Sequence, residues 1–87
     1  MPRSIHSDEY RKLTAILLDA RNAAGLTQQE VADRLGKPQS YVAKVEGNER
    51  RIDVVEFIAL AKALGVDSSG LFNAVLNAVA TTQKFPD

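Results

Sequence analysis

The chain has 87 residues, and its 11 basic and 11 acidic side chains give it a formal net charge of zero. A chain of this length forms one small domain and buries roughly 60% of the surface that its unfolded form exposes. Its lack of cysteine excludes disulfides and thiolate metal sites, and its single histidine, His6, argues against histidine-rich metal sites and a Ser-His-Asp triad. The apolar runs are too short to cross a membrane and the N-terminus has no signal-peptide core, so we expect a cytoplasmic protein that does not contact membranes.

Apolar residues follow a helical period along the chain, and no alternating run predicts a strand. We therefore predict a single all-α domain of five helices over residues 7–80, with tails at residues 1–6 and 81–87. The first helix is predicted to begin after Ser7, a good N-cap, and to end at Gly25. Its inward stripe is Tyr10, Leu13, Leu17, Ala20 and Ala24.

The second helix has the clearest start signal. Thr27 is a favourable N-cap and Glu30 stands three residues later, which is the spacing of a capping box. Leu26 before the cap and Val31 at the fourth helical position form a hydrophobic staple. The helix is predicted to end at Leu35, because a glycine and then a proline follow closely.

The third helix is predicted over Gln39–Glu46, with Val42 and Val45 facing inward. Only a three-residue turn separates it from the second helix. Two helices that cross so closely need a small residue at the crossing, which Ala32 supplies. They also need a turn residue that tolerates positive φ, which Gly36 supplies. Together these features predict a helix-turn-helix.

The fourth helix is predicted to begin after Asp53, with Glu56 three residues later, and to close at Gly65. Its predicted inward residues are Val55, Ile58, Ala61 and Leu64, with Phe57 as a further candidate.

The fifth helix is capped by Asp67 or Ser68 and carries a broad apolar stripe. The stripe is Leu71, Phe72, Val75, Leu76 and Val79. Two interpretations stay open for it: it completes the core, or it forms part of a surface for a second copy of the chain.

Three separated blocks, Leu26–Gly36, Gln39–Asn48 and Ala61–Val66, resemble the Xre/Cro-type helix-turn-helix transcriptional regulators. The resemblance covers most of the chain. It implies a compact five-helix, lambda-repressor-like domain that binds double-stranded DNA, usually as a homodimer, with the third helix in the major groove. We expect no cofactor and no metal.

The outward face of the third helix carries the candidate base readers. Gln39, Ser40 and Lys44 have side chains that hydrogen-bond base edges, and similarity to the family assigns them this role. Tyr41 is a candidate for contact with a phosphate or a thymine methyl. The alternative is that these residues are only a solvated polar face.

Candidate phosphate contacts flank this helix. Gln28 matches the phosphate-binding glutamine of the family, and the N-terminus of its helix offers free backbone donors to an anion. Asn48, Arg50 and Arg51 follow the third helix, where family members touch the DNA backbone. Lys37 adds to a modest positive excess in this segment. The alternative for the two arginines is a solvated loop.

Glu46 would repel phosphate if it faced DNA. The resemblance implies that it pairs with Arg21 of the first helix, so we expect a partly buried ion pair between them. The alternative is a solvent-exposed glutamate.

No catalytic constellation is apparent, so we predict a regulator, most simply a repressor, rather than an enzyme. The alternative function is a protein-interaction module of the same fold, such as an antitoxin that binds a protein partner. The neutral net charge fits that alternative slightly better.

Overall fold

The computed structural model describes residues 7–81, and in this range the chain forms five helices and no strand. The helices are α1 (Asp8–Ala23), α2 (Gln28–Leu35), α3 (Gln39–Glu46), α4 (Val54–Leu64) and α5 (Ser68–Ala80). The prediction of an all-α, five-helix domain is confirmed. The predicted tails, with His6, lie outside the described residues except for Thr81, which caps α5 at its C-terminus.

Four of the five helices begin at a side chain that accepts a hydrogen bond from the backbone three residues later. Ser7, Thr27, Asp53 and Asp67 play this role for α1, α2, α4 and α5. The capping box predicted for α2 is complete, and the predicted cap Asp53 forms a second one with Glu56 at the start of α4. Helix α3 follows Pro38 and has no side-chain cap, so its start depends on packing more than the others do.

All five helices contribute to one hydrophobic core. Val31 of α2 and Val42 and Val45 of α3 are its largest fully buried side chains. Ala32 is completely buried where α2 and α3 pack together, as the helix-turn-helix spacing predicts. These contacts fix the back of α3 and leave its front to solvent.

The predicted inward face of α4 is wrong in part. Val55 and Ile58 are 75% and 51% exposed, whereas Phe57 and Leu60 are buried. Because α4 is apolar on nearly every side, its sequence alone does not select the buried face. Packing against α2 and α5 makes that choice. Ala24, placed on the inward stripe of the first helix, is exposed because α1 has already ended.

The apolar stripe of α5 divides between core and surface. Leu71 and Val75 are buried, and Val79 packs at the edge of the core. Phe72 and Leu76 remain about half exposed, at 52% and 49%.

Within residues 7–81, no helix combines the length and apolarity that crossing a membrane requires.

The turn of the helix-turn-helix depends on a left-handed glycine. Gly36 has a φ of 68°, whereas Gly70 in α5 does not have positive φ, and a Cβ there would meet only Asp67 Oδ2, at 3.6 Å.

We expect Gly36→Ala to lower the free energy of unfolding by about 1–2 kcal/mol, because a side chain disfavours left-handed backbone. Gly70→Ala is the matched control and should raise it by about 0.5 kcal/mol, because alanine is the better helix former. Urea unfolding of both variants measures the difference. Equal stability of the two variants would contradict the interpretation.

Candidate nucleic-acid interface

The exposed front of α3 carries three of the predicted base readers. Gln39, Ser40 and Lys44 are all exposed. The turn before them is closed by backbone hydrogen bonds, from Lys37 N to Ala32 O at 3.0 Å and from Tyr41 N to Pro38 O at 2.9 Å. The helix therefore presents a short polar face on a backbone held from behind.

The two glutamines at the starts of α2 and α3 are joined. Gln39 Nε2 donates to Gln28 Oε1 at 2.6 Å, and Gln28 Nε2 donates to Glu46 Oε1 at 2.9 Å. A candidate phosphate contact and a candidate base reader thus orient each other. Nothing in the sequence predicts this link, because the two glutamines lie 11 positions apart.

Arg21 and Glu46 lie together as a two-point ion pair. Arg21 Nε and Nη2 donate to Glu46 Oε2 and Oε1 at 2.6 and 2.9 Å, and Arg21 Nη1 donates to the carbonyl of Leu26 at 2.9 Å. The two side chains are only 14% and 9% exposed. The carboxylate of Glu46 is therefore turned into the protein, where its charge is neutralised.

Tyr41 lies in a cluster of charged groups rather than on the open face. Its hydroxyl donates to Glu56 Oε2 at 3.2 Å. Lys37 Nζ and Arg50 Cζ lie 5.3 and 4.8 Å from its ring centre. Burial and the negative charge of Glu56 raise the pKa of Tyr41, which keeps the hydroxyl protonated as a donor. The ring therefore orders the two cations beside it.

Arg50 and Arg51 occupy different environments in the segment between α3 and α4. Arg50 Nη2 pairs with Glu56 Oε2 at 2.8 Å, and the hydrogen bond from Arg50 is the main reason that the pKa of Glu56 is lowered. Arg51 is exposed and stacks over the ring of Tyr10, with 4.5 Å from its Cζ to the ring centre. Of these two arginines, Arg51 is the more exposed to solvent.

Asn48 is half-buried and has a φ of 63°, the one positive value found outside glycine in residues 7–81. Its Oδ1 accepts a hydrogen bond from Thr14 at 2.7 Å. The amide nitrogen remains as the group that can donate to a phosphate.

Three residues of this region escaped the sequence analysis: Tyr10, Thr14 and Glu56. Tyr10 was assigned only to the core, and Glu56 only to a cap. The one available signal was Thr14, a hydroxyl on the inward side of α1 one turn after Tyr10. A buried hydroxyl needs a partner. In residues 7–81 no group of three or more potential metal ligands is present.

The family model described as helix-turn-helix matches residues 17–71, which include α2, α3 and α4. A propionyl-CoA carboxylase regulator of Cereibacter sphaeroides is 33% identical over 70 residues, which are 80% of this chain but 15% of that regulator. An uncharacterized HTH-type transcriptional regulator of Sinorhizobium fredii, y4dJ, is 44% identical over 46 residues, which are 53% of this chain and 60% of that regulator.

Solved structures have the same fold. An XRE-family like protein from Pseudomonas syringae pv. tomato is 46% identical, with a TM-score of 0.77 over 91% of this chain and 93% of that one. The restriction-modification controller protein C.Esp1396I, solved as a tetramer with its natural 35 base-pair operator, has a TM-score of 0.77 over 86% of this chain and 99% of that one. Its 20% identity extends the likeness to the fold alone.

We expect Glu46→Ala to lower the free energy of unfolding by about 3 kcal/mol, because it leaves the largely buried guanidinium of Arg21 without a carboxylate to neutralise it. Glu49→Ala removes an exposed carboxylate three residues away and should change stability by less than about 0.5 kcal/mol. Urea unfolding at neutral pH measures both. Similar values for the two variants would contradict a structural role for the pair.

Proposed function

The chain belongs to the helix-turn-helix family, and we propose that it is a transcriptional regulator that recognises a DNA sequence through the major groove with α3. The observation that carries the proposal is the exposed polar face of a short helix whose back is buried. The major groove of B-form DNA is about 12 Å wide and admits such a helix.

In this proposal, Gln39, Ser40 and Lys44 read base edges. Glutamine suits adenine, lysine suits the acceptors of guanine, and serine can donate or accept. The hydrogen bond from Gln39 to Gln28 supports the assignment, because it limits the rotamers of Gln39 before DNA arrives. Tyr41 contributes a phosphate or thymine-methyl contact from the edge of this face.

Phosphate contacts come from both sides of α3. Gln28 lies at the N-terminus of α2, where the helix dipole favours an anion, although the capping box already pairs the N–H groups of Thr27 and Glu30. Lys37 precedes α3, and Asn48, Arg50 and Arg51 follow it. Since Arg50 already pairs with Glu56, Arg51 is the stronger candidate of the two arginines. These contacts fix the position of the domain on the duplex rather than its sequence preference.

The protein binds DNA as a homodimer in this proposal. Leu71, Val75 and Val79 belong to the core, so the part of α5 that a second copy could cover is Phe72 and Leu76. We define the dimer surface as these two residues with Val54 and Ile58 of α4, which are also exposed and line a groove together with Phe72. A two-fold axis would set the two α3 helices about 34 Å apart, one duplex turn, over a pseudo-palindromic operator.

Regulation follows from occupancy rather than catalysis. A dimer bound at an operator blocks polymerase, which makes repression the simplest outcome. In this proposal the protein acts in the cytoplasm, where the bacterial chromosome lies. The alternative is an antitoxin-like module that binds a protein. The neutral charge and the exposed apolar residues of α4 and α5 favour this alternative. Selection from a random duplex pool separates the two, because only the DNA-binding regulator enriches a sequence.

We expect Gln39→Ala and Lys44→Ala each to reduce the discrimination between a selected duplex and a scrambled one by roughly 1–3 kcal/mol, because each removes a base contact. Arg51→Ala is the matched control. It should weaken both duplexes alike and make the salt dependence shallower by about one charge. Fluorescence anisotropy at several salt concentrations measures this, and an unchanged preference in the first two variants would refute the assigned readers.

We expect Phe72→Glu and Leu76→Glu to convert the protein to monomers, because each would bury a charge in the dimer surface. Ala74→Glu adds the same charge to the opposite side of α5, where the residue is also exposed, and should leave the dimer intact. Sedimentation equilibrium measures the molecular mass. A dimer that survives both substitutions would exclude this surface.

A further inference from the structure

The segment between α3 and α4 depends on outside partners for its shape. Residues 50–52 lie between the two helices, so neither helix pairs the carbonyl of Arg50 or the N–H of Ile52. The hydroxyl of Tyr10 on α1 pairs both of these groups. It donates to the carbonyl of Arg50 at 3.2 Å and accepts from the N–H of Ile52 at 3.1 Å.

These two bonds enclose Arg51 on both sides along the chain. The guanidinium of Arg51 also lies over the ring of Tyr10, 4.5 Å from its centre. One side chain therefore holds the backbone before Arg51, the backbone after it and the arginine side chain itself. Tyr10 is only 7% exposed, and burial raises its pKa, so the hydroxyl stays neutral and keeps its donor proton near neutral pH.

A second bond holds the same segment to the same helix. Thr14 lies one turn after Tyr10 and is 3% exposed. It donates to Asn48 Oδ1 at 2.7 Å, where the backbone takes its left-handed conformation. Helix α1 thus fixes the segment at two points, about 6 Å apart along its axis.

We propose that Tyr10 is a positioning residue for DNA-backbone contact: its hydroxyl and ring hold Arg51 in the orientation that meets a phosphate. The inference rests on the proposed function and deepens it. Tyr10 does not touch DNA. It restricts the conformations of Arg51 in the free protein, so Arg51 loses less conformational entropy when DNA binds. Such preorganisation raises affinity without adding a contact.

Tyr10→Phe is the test, because it keeps the ring and removes only the hydroxyl. In anisotropy titrations of the full chain, affinity should fall on the order of fivefold for the selected and the scrambled duplex alike, as for the loss of one hydrogen-bonded contact. The slope of log affinity against log salt should become shallower by up to about 0.9, the value for one phosphate. In an Arg51→Ala background, Tyr10→Phe should add little further loss, because the two residues act through one contact.

Gly65→Ala controls for stability. It introduces strain at a φ of 75° at the far end of α4, adds no charge and leaves the Arg51 segment alone. It should lower the melting temperature without changing the salt slope. If Tyr10→Phe behaves in the same way, Tyr10 is structural only and the inference is overturned while the proposed function stands. If the unmodified protein shows no salt-dependent duplex binding, the proposed function fails, and the inference fails with it.

Discussion

One carboxylate, that of Glu46, joins the three helices on which the candidate interface depends. It lies at the end of α3 and accepts hydrogen bonds from Arg21 of α1 and Gln28 of α2. An isolated helix of eight residues is unstable in water, and α3 also lacks a side-chain cap. The position of α3 is therefore set by what it packs against, namely buried valines behind it and this carboxylate at its end.

Helix α1 serves as a frame for the interface, although it presents no candidate base reader. Three successive positions along this helix contact α3 or the segment that follows it, namely Tyr10, Thr14 and Arg21. Tyr10 and Thr14 hold the segment after α3, and Arg21 holds the end of α3 itself. Since both parts are fixed to one rigid element, the relative placement of the α3 face and the Arg51 segment does not depend on the short loop between them.

Much of the fold could be predicted from the sequence because its signals are local. The starts of α1, α2 and α4 follow from side chains that bond the backbone three residues away, at Ser7, Thr27 and Asp53. The left-handed turn follows from Gly36, and the exposed front of α3 follows from the spacing of its two valines. The pairing of Arg21 with Glu46 came from resemblance to a family, since nothing in the spacing of two residues 25 positions apart requires it.

Only the tertiary structure decided which face of α4 is buried, because a helix that is apolar on nearly all sides has no preferred face until its neighbours choose one. Only the tertiary structure showed the contacts between residues that are far apart in sequence. Tyr10 meets Arg50 and Ile52 across 40 and 42 positions, and Glu56 reaches both Arg50 and Tyr41. The sequence determined where helices begin and end through interactions within one turn. The packing of those helices determined which polar side chains meet, because the distance between two side chains far apart in sequence is set by the fold.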